Sequence, residues 1–198
     1  MSGWTHLGVV VGGSLLVSLA VLLFVSGLSP WELLVIPVSL IVANFVEYVI
    51  HRWPMHSVIP FLKKMYKTHS GLHHRYFTHE FMNMECDDDF HEVFASPTTV
   101  GLFLATVVFP ISALCYFVIS ANVGLIFFAT CIAYYGFYEF IHFVQHLPSS
   151  HFLTKLPFVE GSRTRHRLHH NTRLMREWNF NIGFPLMDRL FGTLKITD

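Results

Sequence analysis

Four long apolar stretches set the pattern of this chain: about Leu7 to Leu28, Trp31 to Ile50, Thr99 to Ile119 and Asn122 to Ile141. A bilayer core about 30 Å thick needs roughly 20 apolar residues per helix, and each stretch has that length. Ser29-Pro30 interrupts the first pair and Ser120-Ala121-Asn122 the second. The spacing therefore predicts an all-α integral membrane protein with four transmembrane helices in two hairpins. The first stretch lacks the basic n-region of a signal peptide and reads as a retained span. Segments 51–97 and 142–198 are polar but neither low-complexity nor rich in Gly and Ser, which predicts a folded helical cap. Within the cap, Pro60-Phe-Leu-Lys-Lys-Met-Tyr-Lys67 interleaves apolar and basic residues as an interfacial helix does, and Phe152-Leu-Thr-Lys-Leu-Pro-Phe158 is a second such piece. The whole of 1–198 is expected to form a single membrane-embedded domain.

Charge gives these hairpins a direction. Met1 to Val46 holds one charged side chain, Glu32, and Val93 to Tyr138 holds none. All 13 lysines and arginines lie in two segments, Arg52 to Arg75 and Lys155 to Lys195, and neither hairpin turn has one. By the positive-inside rule both basic segments, and with them both termini, are expected on the cytoplasmic side of a bacterial inner membrane or of the endoplasmic reticulum. Composition agrees: 53% of residues are hydrophobic and 13% charged, against about 25% charged in soluble chains. A net charge of zero gives no basis for nucleic-acid binding. Three scattered cysteines cannot form a disulfide framework or a CxxC zinc site.

The chain has 14 histidines, and ten of them cluster: His51 and His56; His69, His73 and His74; His142 and His146; His166, His169 and His170. Each cluster lies at or beyond the cytoplasmic end of a predicted span. The order of hairpin, histidine pair and histidine triplet repeats, which suggests two facing half-sites. Residues four apart share a helical face, so His142 with His146, His69 with His73, and His166 with His170 are expected to project together. Pro54 is expected to break the helix after His51 and let His56 turn back toward it. One metal takes four to six ligands, so ten imidazoles imply two metals. His6, His79, His91 and His151 stand outside the clusters and read as capping or hydrogen-bonding residues. Glu47 and Glu139 precede His51 and His142 by about one turn, and Asp188 follows the last triplet. Glu47 and Glu139 are expected to orient imidazoles through their other N–H, and Glu139-x-x-His142 leaves a direct carboxylate ligand open.

These motifs resemble the fatty acid hydroxylase superfamily, which includes sterol desaturases, sphingolipid fatty-acid hydroxylases and carotenoid hydroxylases. The resemblance rests on His51-Arg-Trp-Pro-Met-His56, His69-Ser-Gly-Leu-His73-His74 and His166-Arg-Leu-His169-His170. The pair His142 and His146 is similar to that of the fatty-acid 2-hydroxylases, and the segment from Asn179 to Thr193 to the family's closing segment. The match runs from about Glu47 to Thr193. It implies a non-haem di-iron centre at the cytoplasmic membrane face that uses O2 and external electrons on a lipid. No cytochrome-b5-like domain is visible in the sequence, so a separate donor of the cytochrome b5, ferredoxin or reductase type is expected. The residues after His74 differ from those of the sphingolipid hydroxylases.

The expected reaction is hydroxylation of a lipid acyl chain or similar long hydrocarbon. Zinc stands above iron(II) in affinity and is expected to replace iron in purified protein. Desaturation on the same scaffold, and a non-catalytic protein stapled by zinc, are the alternatives. Mid-span positions lack His, Asp and Glu, which argues against a metal transporter.

Overall fold

A computed structural model describes residues 2–197, and every regular element among them is helical. In chain order these are α1 (Gly3–Leu22), α2 (Val35–Arg52), α3 (Lys63–Thr68), α4 (His74–Tyr76), α5 (Pro97–Phe103), α6 (Phe109–Val118), α7 (Ala121–Gln145), α8 (Pro157–His169) and α9 (Leu186–Leu190). Four helical stretches are long and apolar enough to cross a bilayer: Gly3–Leu22, Pro30–Arg52, Asp87–Val118 and Ala121–Gln145. The chain is a multi-pass membrane protein.

The boundaries differ from the sequence expectation for physical reasons. α1 stops at Leu22 rather than Leu28, because the backbone tightens there: Phe24 N–H donates to Val21 and Val25 N–H to Leu22. Gly27 then takes a positive φ of 57° and turns the chain, a conformation that glycine adopts at little cost. The third span is not uniformly α-helical. Its α-helical part begins at Ser96, whose hydroxyl accepts from Thr99 N–H, and passes through a π turn at Leu104–Val108. Pro110 has no N–H and its ring crowds the carbonyl four residues earlier. The turn absorbs that by routing Phe109 N–H back to Leu104.

The chain divides into two compact units. One comprises Trp4–Ala43 and Ala95–Glu139 and carries most of the apolar helices. Its outer faces are greasy, with Leu23 84% and Phe117 83% exposed. Patches of this kind suit lipid rather than water. Its inner seams use small residues. Ser18 Oγ donates to Ala129 O at 2.9 Å, and a Cβ on Gly124 would lie 2.6 Å from Ser112 O and 2.7 Å from Tyr116 Cα. Without a hydrophobic force between helices in lipid, such close approach is what holds them. The two hairpin turns are tied by Glu32, which accepts from Ser29 N–H at 2.8 Å, Ser120 Oγ at 2.5 Å and Asn122 Nδ2 at 3.0 Å.

The other unit comprises Asn44–Phe94 and the chain from Phe140 onward. It holds all ten clustered histidines. Tyr48, Phe180 and Met187 form a small buried core beneath them. The segment from Asn179 to Thr193 is pinned from several sides. Asp188 accepts from Phe180 N–H at 2.9 Å, Asn181 N–H at 2.8 Å and Thr193 Oγ1 at 2.8 Å. Glu47 accepts from Ile182 N–H at 2.5 Å, and Asn44 Nδ2 donates to Phe184 O at 2.8 Å. The expected interfacial piece folds as a turn, Pro60–Leu62, followed by α3. Phe61 is 97% exposed there, and Lys63, Lys64 and Lys67 are exposed beside it.

Candidate metal centre

Nine of the ten clustered histidines gather into two groups. The first holds His51, His56, His69, His74 and His169, and the second His73, His146, His166 and His170. Within each group the ligand atoms lie within 4.8 Å of one another. His142 borders the second group, its ring centroid 4.9 Å from His73, 5.1 Å from His146 and 5.0 Å from His166. Every one of the ten is buried.

Local backbone explains the membership. α2 ends at Arg52, the chain folds over Trp53 and Pro54, and His56 returns to within 5.1 Å of His51, ring to ring. His69 and His73, expected on one face, go to different groups. The residues between them form a π turn, His69–His73, in which His74 N–H reaches back five residues to His69 O. The extra residue in that turn brings His69 and His74 together, Nε2 to Nε2 at 3.1 Å, and sends His73 to the other group. Turns of this kind recur at functional sites. α8 is regular, and His166 and His170 do pair, at 3.1 Å. The two sequence halves therefore exchange one ligand each: His169 joins the first-half histidines and His73 joins the second-half ones.

The hydrogen bonds behind the rings decide what the centre can hold. The Nδ1–H groups of His51, His73, His146, His169 and His170 donate to the backbone carbonyls of Phe180, Glu92, Met82, Trp178 and Phe77, at 2.5, 2.7, 2.8, 2.8 and 2.6 Å. A carbonyl only accepts, so each of these rings carries its proton on Nδ1 and a lone pair on Nε2. The Ser70 hydroxyl donates to Met55 O at 2.7 Å and so accepts from His56 Nδ1 at 2.9 Å, which fixes the same tautomer in His56.

Two contacts then place lone pair against lone pair: His56 Nε2 with His169 Nε2 at 2.9 Å, and His73 Nε2 with His170 Nε2 at 3.1 Å. Protonating one ring would relieve the repulsion, but burial opposes the charge. It pushes His56 down to about 2 and His73 down to about 4, and holds His69, His74, His146, His166, His169 and His170 well below the usual imidazole range, with neighbouring imidazoles adding to the effect. A cation between the facing nitrogens resolves the conflict. Two nitrogens bound at about 2.0–2.1 Å to one tetrahedral metal stand roughly 3.3 Å apart, close to the spacing found. Each group contains one such pair, so both can hold a metal ion.

Glu47 and Asp188 brace the segment whose Phe180 carbonyl receives His51, one step behind the rings. Glu139 is fully buried on α7. Sequence reasoning missed the carbonyl acceptors because any residue supplies them. Ser70 could have been noticed as a hydroxyl one residue after His69.

An all-helical, multi-pass protein with two buried histidine groups able to hold metal ions is the class that fold and site define. Its sequence places it more narrowly: the chain matches the fatty acid hydroxylase family over residues 36–193 and belongs to it. No curated protein matches the chain by sequence. Among solved structures, full-length scs7p, with only its hydroxylase domain visible, aligns over 98% of this chain with a TM-score of 0.66 and 20% identity. The alignment covers 66% of that protein's chain, and at this identity it establishes the shared fold.

Proposed function

We propose that the whole chain acts as one O2-dependent hydroxylase domain with two iron ions on its histidines, and that it hydroxylates a lipid acyl chain or similar long hydrocarbon. The observation that supports this reading is the facing of two Nε2 atoms in each group, His56 with His169 and His73 with His170, an arrangement that a bound cation reconciles. The family supports redox chemistry on a hydrocarbon, and the apolar spans support a substrate drawn from the bilayer.

Bound iron would supply activation of O2, which zinc cannot. The balance is R–H + O2 + 2 electrons + 2 protons giving R–OH + H2O, with electrons from a separate one-electron donor. What the chain contributes is preorganisation. Backbone carbonyls and Ser70 fix the tautomers, so that Nε2 lone pairs face inward. Burial keeps the imidazoles neutral and therefore able to bind. Asp188 and Glu47 hold the Asn179–Thr193 segment, which supplies the Phe180 carbonyl to His51. The basic segments, and both termini, lie on the cytoplasmic side in this proposal, where a soluble donor can reach.

Iron-loaded protein in lipid, supplied with a donor and isotopically labelled O2, should place label in a hydroxylated lipid. Label found only in water, with a desaturated product, would replace hydroxylation by desaturation. Absence of O2 consumption with every lipid class would leave a zinc-stapled structural protein.

A further inference from the structure

Residues 57–68 form a loop whose two ends are fastened to the foot of one span. At its start, His56 returns to within 5.1 Å, ring to ring, of His51 on the last turn of α2. At its close, Ser70 Oγ donates to Met55 O at 2.7 Å, and His69 Nε2 meets His51 Nε2 at 2.9 Å. Pro30–Arg52 is one of the four stretches fit to cross a bilayer, so the loop is held where that span ends. Trp53, exposed at the same place, belongs to a residue type that collects at membrane–water boundaries.

The loop carries two kinds of group that the fold leaves unused. Phe61 is 97% exposed midway along it, and Val58 and Pro60 are exposed beside it. Lys63, Lys64 and Lys67 are exposed as well. They lie three and four residues apart on α3, which makes Lys67 a neighbour of both others on the helix surface. Residues 48–79 include five lysines and arginines and no aspartate or glutamate. The ammonium charge of this stretch therefore has no local carboxylate to neutralise it. A bare aromatic ring beside ammonium groups fits the boundary where acyl chains meet headgroups. There the ring enters hydrocarbon, while lysine stems lie along it and lift their charge to the phosphates. A soluble acidic protein would also neutralise the lysines, but a loop fastened at a span end already has lipid beside it.

We propose that residues 58–67 are a binding site for anionic phospholipids, with Phe61 among the acyl chains and Lys63, Lys64 and Lys67 on the headgroup phosphates. Net negative lipids are favoured over zwitterionic ones because each lysine near the surface adds its own attraction. α3 ends at Thr68 and the ligand turn begins at His69, so the bound lipid steadies the chain that enters the metal centre. The site requires the membrane-embedded fold and neither iron nor hydroxylation.

The test places the full chain, carrying Phe61→Trp, in nanodiscs that mix phosphatidylcholine and phosphatidylglycerol, with brominated acyl chains on one lipid or the other. The emission that Phe61→Trp adds over the parent protein is read. Brominated phosphatidylglycerol should quench it about twofold or more as strongly, mole for mole, as brominated phosphatidylcholine. Salt at about 1 M, where the screening length falls to about 3 Å, should erase the difference. Combined Lys63→Gln, Lys64→Gln and Lys67→Gln should erase it too, while Arg173→Gln, in the other basic segment, should leave it intact. Thermal unfolding should match in all these proteins. Should the combined variant not fold, Lys64→Gln alone should lower the preference, and the salt response decides without any lysine change. Equal quenching by both lipids would overturn the proposal. Quenching by neither would place the ring in water and leave the lysines to a soluble acidic partner. A preference that survives both salt and the glutamine substitutions would overturn the role given to the lysines.

Discussion

His169 and His170 are neighbours in sequence, yet they serve different groups. Their rings are 6.2 Å apart and nearly perpendicular, at 86°. His169 Nε2 meets His56 at 2.9 Å, whereas His170 Nε2 meets His73 and His166, both at 3.1 Å. Replacing each should therefore have a separable effect. His169→Ala should cost the metal of the first group and His170→Ala that of the second, each leaving about half the bound metal. Elemental analysis of the two purified variants checks this. Identical loss of both ions in the two variants would show a single coupled site.

Ser70 is the side chain that sets an imidazole tautomer where backbone carbonyls set five others. Ser70→Ala removes the acceptor for His56 Nδ1–H and the donor to Met55 O. Loss of such an orienting partner costs about 10–100-fold in metal affinity. The loss should fall on the first group alone, and competition with a chelator would read it as one weakened and one unchanged binding step.

Much of this architecture was legible in the sequence because the bilayer imposes a length that a run of apolar residues must meet. The second and fourth spans could be placed from hydropathy to within a few residues. The end of α1 could not, since Leu23 to Leu28 is as apolar as the helix before it and only Gly27 marks the turn. The clustered histidines were legible as a set, and Pro54 correctly signalled the return of His56. Their partition was not. Spacing arguments assume 3.6 residues per turn, and the π turn at His69–His73 breaks that assumption at the decisive place. The carbonyl acceptors leave no mark on residue identity, so Phe180, Glu92, Met82, Trp178 and Phe77 could not be read from the sequence as partners of the rings.

Helix contact in the apolar unit makes a prediction independent of metal. A Cβ at Gly124 would sit 2.6 Å from Ser112 O and 2.7 Å from Tyr116 Cα, both backbone atoms with little room to yield. Gly124→Ala should destabilise the protein by about 1–3 kcal/mol. Gly101→Ala, where nothing lies within 4 Å of the added carbon, should be neutral or slightly stabilising. Thermal unfolding of both variants in one detergent gives the comparison. Equal behaviour would refute the close α6–α7 approach.

Orientation can be read by labelling. Cysteines introduced at Ala121, exposed at the second hairpin turn, and at Lys155, exposed in the second basic segment, should react with an impermeant maleimide from opposite sides of sealed vesicles. Reaction from the same side would reverse the hairpin topology.

Acid should release the metals, and the sign follows from burial. Free histidine protonates near pH ~6.5, while burial holds His73 at about 4 and His56 at about 2 in the folded chain. Between ~6.5 and those values the unfolded chain takes up protons that the folded chain refuses, so stability falls as the pH falls through this window and is fully present above it. The displacement of His73 alone corresponds to roughly 3 kcal/mol. Metal binding competes with the same protons, because only the neutral ring offers a lone pair. Loss should therefore begin below pH ~6.5 and be cooperative, since the first ion to leave frees ligands that can charge and repel their neighbours. Metal content measured after gel filtration at stepped pH, alongside thermal unfolding, should show both quantities falling together. Two ions retained unchanged at about pH 3, far below the free-histidine value, would mean that imidazoles are not the principal ligands.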